Sequence, residues 1–170
     1  RGNKWSSRPG ENLTFSLVWE PEFLEARRQF LLSEAVALAL TDTLAKYSIG
    51  SKIKWTNDIY VGNKKICGIL IEHDLGVGGK LARTIVGIGL NINQAEFPDD
   101  LPNPTSMALL RGTKFDRREV LERYMQTLAA WYDKLQRGHK AEIETCYREK
   151  MYHLDQPHTY AYPSGEEFTA

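Results

Sequence analysis

KWTNDIYVGNKKICGILIE, residues 54–72, is the stretch of this chain that decides its fold. Two apolar runs, Ile59–Val61 and Ile66–Ile71, flank Gly62-Asn63, a pair of residues typical of a tight turn. The stretch therefore predicts a β-hairpin. Gly68 interrupts the second run, which indicates either a bulge or a point where another backbone or a ligand comes close.

Polar residues surround the predicted hairpin. The run Lys54-Trp55-Thr56-Asn57-Asp58 precedes the first strand, and Lys65 opens the second. An ammonium group suits phosphate or carboxylate oxygens, and a carboxylate suits a divalent cation, so these groups match a site for a phosphorylated nucleotide with Mg²⁺. A solvated turn in front of a buried hairpin would show the same residues, because Asn and Asp side chains also bond to nearby backbone. The residue types alone leave both interpretations open.

Bulk composition narrows the class of protein. The chain has 170 residues, with 22 basic and 22 acidic side chains, so no global charge draws it to nucleic acid or to an anionic membrane. Its two cysteines, Cys67 and Cys146, form neither a disulfide framework nor a metal-binding spacing. No apolar run approaches the ~20 residues of a membrane span. We therefore expect a cytoplasmic protein with no membrane partner and no nucleic-acid partner for this segment.

Hydrophobic periodicity predicts the other elements. Asn12–Trp19 has the composition of a strand, and Glu22–Tyr47 predicts a helix with one broad apolar face. The glycine-rich turn at Leu75–Lys80 lacks the spacing of a phosphate-binding loop and predicts a hairpin tip. The remaining predicted elements are strands over Lys52–Trp55, Ala82–Asn91 and Thr159–Tyr162, and helices over Ser106–Arg111, Asp116–Gln136 and His139–Met151.

Three segments, in order along the chain, resemble those of the bacterial biotin–protein ligases. Residues 54–72 are similar to the signature KWPND followed by K-x-x-G-[IV]-L-[IV]-E, with Thr56 where the family usually has Pro. Gly2-Asn3-Lys4-Trp5 resembles the end of the glycine- and arginine-rich biotin loop. Gly87–Asn93, which reads GIGLNIN, resembles a third family segment. The resemblance covers nearly the whole chain.

The resemblance implies an α+β fold, in which a mixed β-sheet has helices packed on one side. This is the class II synthetase-like fold of the biotin and lipoate ligases. Residues 1–154 would form the ligase core and residues 155–170 would begin a small, SH3-like β domain. Because Arg1 falls inside the biotin loop of the family, we expect a strand, a helix and most of that loop to precede it.

The same resemblance implies ATP-dependent activation of biotin to biotinyl-5′-AMP. The biotin would then pass to a lysine of a biotin carboxyl carrier protein. ATP with Mg²⁺ is the expected cosubstrate, biotin is a substrate, and no prosthetic group is expected. Relatives also pair side by side as homodimers. A lipoate or octanoate ligase or transferase is the alternative enzyme, although the segments KWTND and GIGLNIN argue against it. A non-catalytic, biotin-sensing repressor module is the alternative of another class.

The family pattern assigns roles to individual residues. Lys65 would be the catalytic residue, contacting the biotin carboxylate and the α-phosphate. The biotin site would comprise Lys65, Gly68, Ile69, Leu70 and Trp5. The ATP or adenylate site would comprise Gly2, Trp5, Lys54, Asn57, Asp58 and Asn91, with Asp58 also expected to bind Mg²⁺.

Asn91 and Trp5 carry two further expectations. Asn91 follows an apolar strand, and a buried amide must be hydrogen-bonded, so Asn91 holds either a neighbouring loop or a ligand base. Arg1–Ser7 has few apolar anchors apart from Trp5. We expect this segment to be mobile without ligand and to close over biotinyl-AMP, with Trp5 as one wall.

Overall fold

The computed structural model describes residues 5–162 and 164–169. Its centre is a five-stranded sheet in the order β1-β5-β4-β3-β2. The strands are β1 (Leu13–Trp19), β2 (Lys52–Lys54), β3 (Asp58–Val61), β4 (Lys64–Leu75) and β5 (Leu81–Leu90). The predicted Gly2 contact lies outside the described residues, as do residues 1–4 of the predicted lid.

Antiparallel pairing runs through this sheet. β3 and β4 form the predicted hairpin, and Gly62 takes a positive φ of 54° in the turn between them. β4 and β5 form a second, longer hairpin whose tip is the glycine-rich turn, as predicted. The α+β class is confirmed, but the expected mixed pairing is not seen among the described strands. Consecutive strands joined by tight turns must run antiparallel, and parallel pairing is limited to two isolated bridges.

A layer of helices covers one face of the sheet. The helices are α1 (Phe30–Ala45), α2 (Met107–Arg111), α3 (Arg117–Gln136) and α4 (Lys140–Glu149). α1 lies between the sheet and the pair α3 and α4, and 13 of its 16 residues are buried. The prediction of a single apolar face for this segment was wrong, because a helix covered on all sides is apolar all round. The helix also begins later than predicted, since Ala26–Arg28 forms a 3₁₀ turn instead.

Polar side chains and a glycine cap the ends of two helices. The Ser106 side chain accepts a hydrogen bond from the backbone N–H of Leu109 at the start of α2, and Gly112 ends that helix with φ of 69°. The Asp116 carboxylate accepts hydrogen bonds from two backbone N–H groups in the first turn of α3. The Asp116 cap fixes the start of α3, which packs on α1.

The C-terminal part of the described chain forms a small hairpin. Its strands are β6 (Thr159–Ala161) and β7 (Glu167–Thr169), which pair with each other and with no strand of the main sheet. Aromatic side chains stack along it, with Phe168 between Tyr160 and Tyr162. That these residues begin a second domain stays a prediction.

Two further expectations concern cysteines and membranes. Cys67 is buried and free, and burial raises the pKa of its thiol, so it acts as a small apolar side chain. Cys146 is also free. Among the described helices, none combines the length and the apolar character needed to cross a bilayer.

Glu34 is a carboxylate in the interior of the helical layer. It lies on α1 and is 7% exposed. Burial, with a smaller contribution from nearby Glu144, raises the pKa of Glu34 from 4.5 to about 7. The folded state therefore binds the proton of the Glu34 carboxyl more tightly than the unfolded chain does. The contribution of this proton to the free energy of unfolding is complete below about pH 4.5 and is lost as the pH rises through 7.

We predict that Glu34→Gln stabilises the protein at pH 8 but not at pH 5. The gain at pH 8 should be on the order of 2–3 kcal/mol, because the variant avoids burying a carboxylate. Urea unfolding at both pH values measures it, with Glu122→Gln on the exposed face of α3 as the control. Equal effects of Glu34→Gln at the two pH values would contradict the prediction.

Candidate active site

Two adjoining cavities, here called the sheet cavity and the loop cavity, lie on the side of the sheet that faces away from the core. The sheet cavity has a volume of about 470 Å³, and the loop cavity has a volume of about 300 Å³. Trp5, Asp58 and Lys65 line both. The sheet cavity is otherwise lined by Thr14, Phe15, Ser16, Gly68, Ile69, Leu70, Gly87, Ile88 and Gly89. The loop cavity is otherwise lined by Ser6, Tyr60, Asn91, Phe97, Leu101, Pro102, Asn103 and Pro104.

A β-bulge decides which side chains of β4 reach these cavities. Ile59 pairs with Cys67 but Tyr60 pairs with Lys65, so Ile66 is an extra residue in β4. Ile66 and Cys67 are consequently both buried, and the alternation of faces shifts by one. Lys65 and Gly68 therefore both line the sheet cavity, although they are three positions apart, an odd spacing that regular alternation would place on opposite faces.

An ion pair lies at the junction of the two cavities. The Lys65 Nζ is 2.7 Å from the Asp58 Oδ1, and each side chain is about one-third exposed, at 32% and 33%. The two residues lie on neighbouring strands, β4 and β3. The site thus holds one cation and one anion within contact of each other, where either could also reach a ligand in the sheet cavity or the loop cavity. The sequence analysis predicted both residues but not their pairing.

Trp5 covers the middle of the site. A Cβ built on Gly89 would lie 2.3 Å from the Trp5 ring, and one on Gly68 would lie 3.0 Å from it. These two glycines are register partners on β5 and β4, so together they form a flat backbone floor under the indole. The Lys65 Nζ is 5.9 Å from the centre of the ring, within the range of a cation–π contact.

Asn91 follows β5 at the wall of the loop cavity. It is 3% exposed, and its Nδ2 donates a hydrogen bond to the Thr105 carbonyl at 3.0 Å. Of the two alternatives expected for Asn91, the structure shows the contact to a neighbouring loop. Its Oδ1 is buried and has no hydrogen-bond partner among the described residues. A buried acceptor in a cavity wall is suited to a ligand N–H donor.

The segment Asn103–Thr105 is bound to the backbone of Lys65. The Lys65 N–H donates to the Asn103 carbonyl at 2.8 Å, and the Thr105 N–H donates to the Lys65 carbonyl at 2.9 Å. The preceding residues, Phe97 and Leu101, form an apolar side of the loop cavity. This segment was not among the site residues predicted from the sequence. The signal that could have identified it is the pair of bulky apolar residues, Phe97 and Leu101, in a proline-rich and otherwise polar stretch.

The structure separates Lys54 and Asn57 from the other predicted site residues. The Lys54 Nζ lies 4.8 Å from the centre of the Tyr60 ring. Tyr60 lines the loop cavity, whereas Lys54 lines neither cavity. Asn57 lines neither cavity, and its backbone carbonyl accepts a hydrogen bond from Ile69 at 2.9 Å. The peptide bond between Trp55 and Thr56 is cis.

Several lining residues were missed at the sequence level. Thr14 and Ser16 alternate with buried-side residues of β1, and their hydroxyl groups border the sheet cavity. The alternation along Leu13–Trp19 was a usable signal, because it places both on the face opposite Phe15 and Leu17.

No group of three or more His, Cys, Asp or Glu side chains able to hold a metal ion occurs in residues 5–162 and 164–169. Asp58 is the one carboxylate that lines either cavity in this part of the chain. A cation there would need most of its ligands from substrate oxygens or water, which is how Mg²⁺ is commonly bound beside phosphates.

Residues 1–91 match the Biotin/lipoate A/B protein ligase family. The match contains the first two of the three segments on which the resemblance rests and the first five residues, Gly87–Asn91, of the third. The chain belongs to this family.

Individual relatives agree with the family match. The bifunctional ligase/repressor BirA of Bacillus spizizenii is 36% identical over 122 residues, which cover 69% of this chain and 37% of the relative. The biotin–[acetyl-CoA-carboxylase] ligase of Paracoccus denitrificans is 30% identical over 165 residues, covering 92% and 67%. The biotin protein ligase from Aquifex aeolicus in complex with biotin and ATP superposes with a TM-score of 0.80 at 29% identity, covering 99% and 68%. The chain thus spans well under half of the length of BirA.

We predict that Gly89→Ala displaces Trp5 whereas Gly87→Ala does not. A Cβ on Gly89 would overlap the indole at 2.3 Å, while one on Gly87 would meet its nearest atom at 3.7 Å, an ordinary contact. The Trp5 indole N–H signal in a ¹H–¹⁵N spectrum reports this, assigned by Trp5→Phe among the four tryptophans. We expect that signal to shift and to exchange faster with solvent in Gly89→Ala alone. An unchanged Trp5 signal in Gly89→Ala would show that the ring does not rest on this glycine.

Proposed function

We propose that the protein containing this chain joins biotin to ATP, forming biotinyl-5′-AMP, and transfers biotin to a lysine of a biotin carboxyl carrier protein. The observation that carries the proposal is the Lys65–Asp58 pair at the junction of two cavities of different chemistry. Condensing an acid with a nucleotide requires two adjoining pockets and a cation where the two ligands meet. The printed names of the relatives support this choice of acid and nucleotide.

The sheet cavity is the proposed biotin site. The Trp5 ring, which lies on Gly68 and Gly89, borders this cavity, and the apolar Ile69 and Leu70 also line it. Aromatic and apolar walls suit the ring and aliphatic tail of biotin, since apolar surface removed from water supplies the affinity. The hydroxyl groups of Thr14 and Ser16 add polar contacts at the β1 side.

The loop cavity is the proposed adenylate site. Trp5 borders it on one side, and Phe97 and Leu101 border it on another, which gives apolar surfaces for a planar base. The unpartnered Asn91 Oδ1 is an acceptor for the exocyclic amine of adenine. Lys54 and Asn57 would act at the phosphate side only if their side chains turned toward the cavity.

The chemistry proposed for the first step is attack of a carboxylate oxygen of biotin on the α-phosphorus of ATP. A new O–P bond forms, and the bond from the α-phosphorus to the departing pyrophosphate oxygen breaks. Two anions must meet, so the main barrier is charge repulsion. Lys65 lies where the biotin carboxylate and the α-phosphate would meet, and its ammonium group lowers that repulsion. Asp58 holds the ammonium group in place before the ligands bind.

In the second step, the amine of an acceptor lysine attacks the carbonyl carbon of the mixed anhydride, and AMP leaves. Mg²⁺, when bound, neutralises charge on the phosphate oxygens, and Asp58 is the side chain of this chain that would contact it. β1 is an edge strand of the sheet, which fits the proposal of a homodimer paired side by side. A cytoplasmic location is proposed because Cys67 and Cys146 are free thiols, which a reducing compartment maintains.

The full-length protein is predicted to catalyse ATP–pyrophosphate exchange that depends on biotin. Exchange measured with labelled pyrophosphate should require biotin, ATP and Mg²⁺ together. Lipoate and octanoate are the controls, because a lipoate or octanoate enzyme of the same family shares the acyl-activation chemistry. Exchange with either of them and none with biotin would overturn the choice of acid, and no exchange with any of the three would overturn the enzyme proposal.

Lys65→Ala is predicted to reduce adenylation by a factor on the order of 10²–10³, since a charge contact in the transition state is typically worth that much. Lys64→Ala is the matched control, because Lys64 is the adjacent lysine of β4, is exposed and lines neither cavity. Single-turnover formation of biotinyl-AMP measures the rate, and thermal unfolding measures the fold. Near-normal turnover in Lys65→Ala would contradict the proposed role, and equal losses of activity and stability would assign Lys65 a structural one.

A further inference from the structure

The turn at residues 56–58, which carries Asp58 into the site, is held from two sides. On one side, the Ile69 N–H of β4 donates a hydrogen bond to the Asn57 carbonyl at 2.9 Å. On the other side, the Tyr147 hydroxyl of α4 donates one to the Thr56 carbonyl at 3.2 Å. Asp58 follows immediately and forms the ion pair with Lys65. A helix on the far side of the core therefore contacts the segment that places the anion of the site.

The Tyr147 ring is itself fixed in the helical layer. Tyr147 is 2% exposed, and the Phe30 ring of α1 packs edge-on against it with a centroid distance of 5.7 Å and an interplanar angle of 82°. Burial, and to a smaller extent the nearby Glu34, raise the pKa of Tyr147 to about 12. The hydroxyl keeps its proton at physiological pH and remains a donor to the Thr56 carbonyl.

The residues after Tyr147 are bonded to the strand that leads into the same turn. The Ile53 N–H donates to the Lys150 carbonyl, and the Tyr152 N–H donates to the Ile53 carbonyl, both at 2.8 Å. This parallel bridge covers the free edge of β2, which ends at Lys54, two residues before Thr56. Tyr147 lies one helical turn before the bridge, so its hydroxyl reaches the chain just beyond the end of β2.

We infer that Tyr147 is a positioning residue for adenylation: its hydroxyl fixes the turn at residues 56–58 and, through it, the Asp58–Lys65 pair. The inference rests on the proposed function for the reaction that it serves. Tyr147 lines neither cavity, so it acts through the turn and not on a ligand. Its hydrogen bond is the single side-chain contact from α4 to this turn among the hydrogen bonds of the described chain.

Tyr147→Phe tests the inference, because it removes the hydroxyl and keeps the ring against Phe30. Tyr47→Phe is the matched control, since the Tyr47 hydroxyl is buried without a hydrogen-bond partner among the described residues and its ring packs on Phe115. In the full-length protein, hydrogen exchange of the amides at residues 55–59 should become several-fold faster in Tyr147→Phe alone. The rate of adenylate formation should fall about three- to tenfold, as expected for one hydrogen bond. The Kd of biotin alone should change less than twofold.

The outcomes separate positioning from simple support of the fold. Faster exchange at residues 55–59 with a lower rate of adenylate formation, and little change in the Kd of biotin or in the thermal midpoint, would support the inference. Unchanged exchange would overturn it, as would faster exchange with an unchanged rate. A parallel loss of stability, biotin binding and rate would also overturn it, since that pattern marks a general structural role. If the parent protein uses lipoate or octanoate instead, the choice of acid fails, and the same comparison is made with that acid.

Discussion

The extra residue in β4 is the constraint on which the site depends. With regular alternation, Lys65 and Gly68 would point to opposite faces of the sheet. Ile66 shifts the alternation, so Lys65 reaches the cavity junction while Gly68 lies under Trp5. The carbonyl of the bulged Ile66 accepts a hydrogen bond from the Asn91 N–H at 3.0 Å. One irregularity in the backbone therefore positions the ammonium group, the glycine floor and the buried amide together.

Elements distant in sequence then fix this arrangement. The segment Asn103–Thr105 satisfies both backbone groups of Lys65, which lies beyond the last register pair of β4 with β5, Cys67 with Leu90. The helical layer holds the opposite side, because α4 contacts the edge of β2 while α1 fills the core beneath the sheet. The site is thus built on rigid strands and clamped by a loop and a helix, an arrangement that favours preorganised charge.

Local signals predicted much of the fold. The Gly62-Asn63 turn and the start of the helix at Asp116 were legible because each depends on residues within one turn of chain. The full burial of α1 was not legible, since it depends on α3 and α4, which pack on it from more than seventy residues away. The family resemblance supplied the site residues, but the sequence could not show that Lys65 contacts Asp58. That contact depends on the register shift at Ile66, whereas the sequence marked a possible bulge only at Gly68, two residues further on.

The common wall between the two cavities determines how the specificity of such a protein could be altered. Trp5, Asp58 and Lys65 border both compartments, so under the proposed function changing any of them would perturb acid and nucleotide recognition at once. Ser16 and Phe97 each belong to one compartment. A designer seeking a different acid would work at positions like Ser16, and one seeking a different base would work at positions like Phe97. In both cases the three residues of the common wall would be left unchanged.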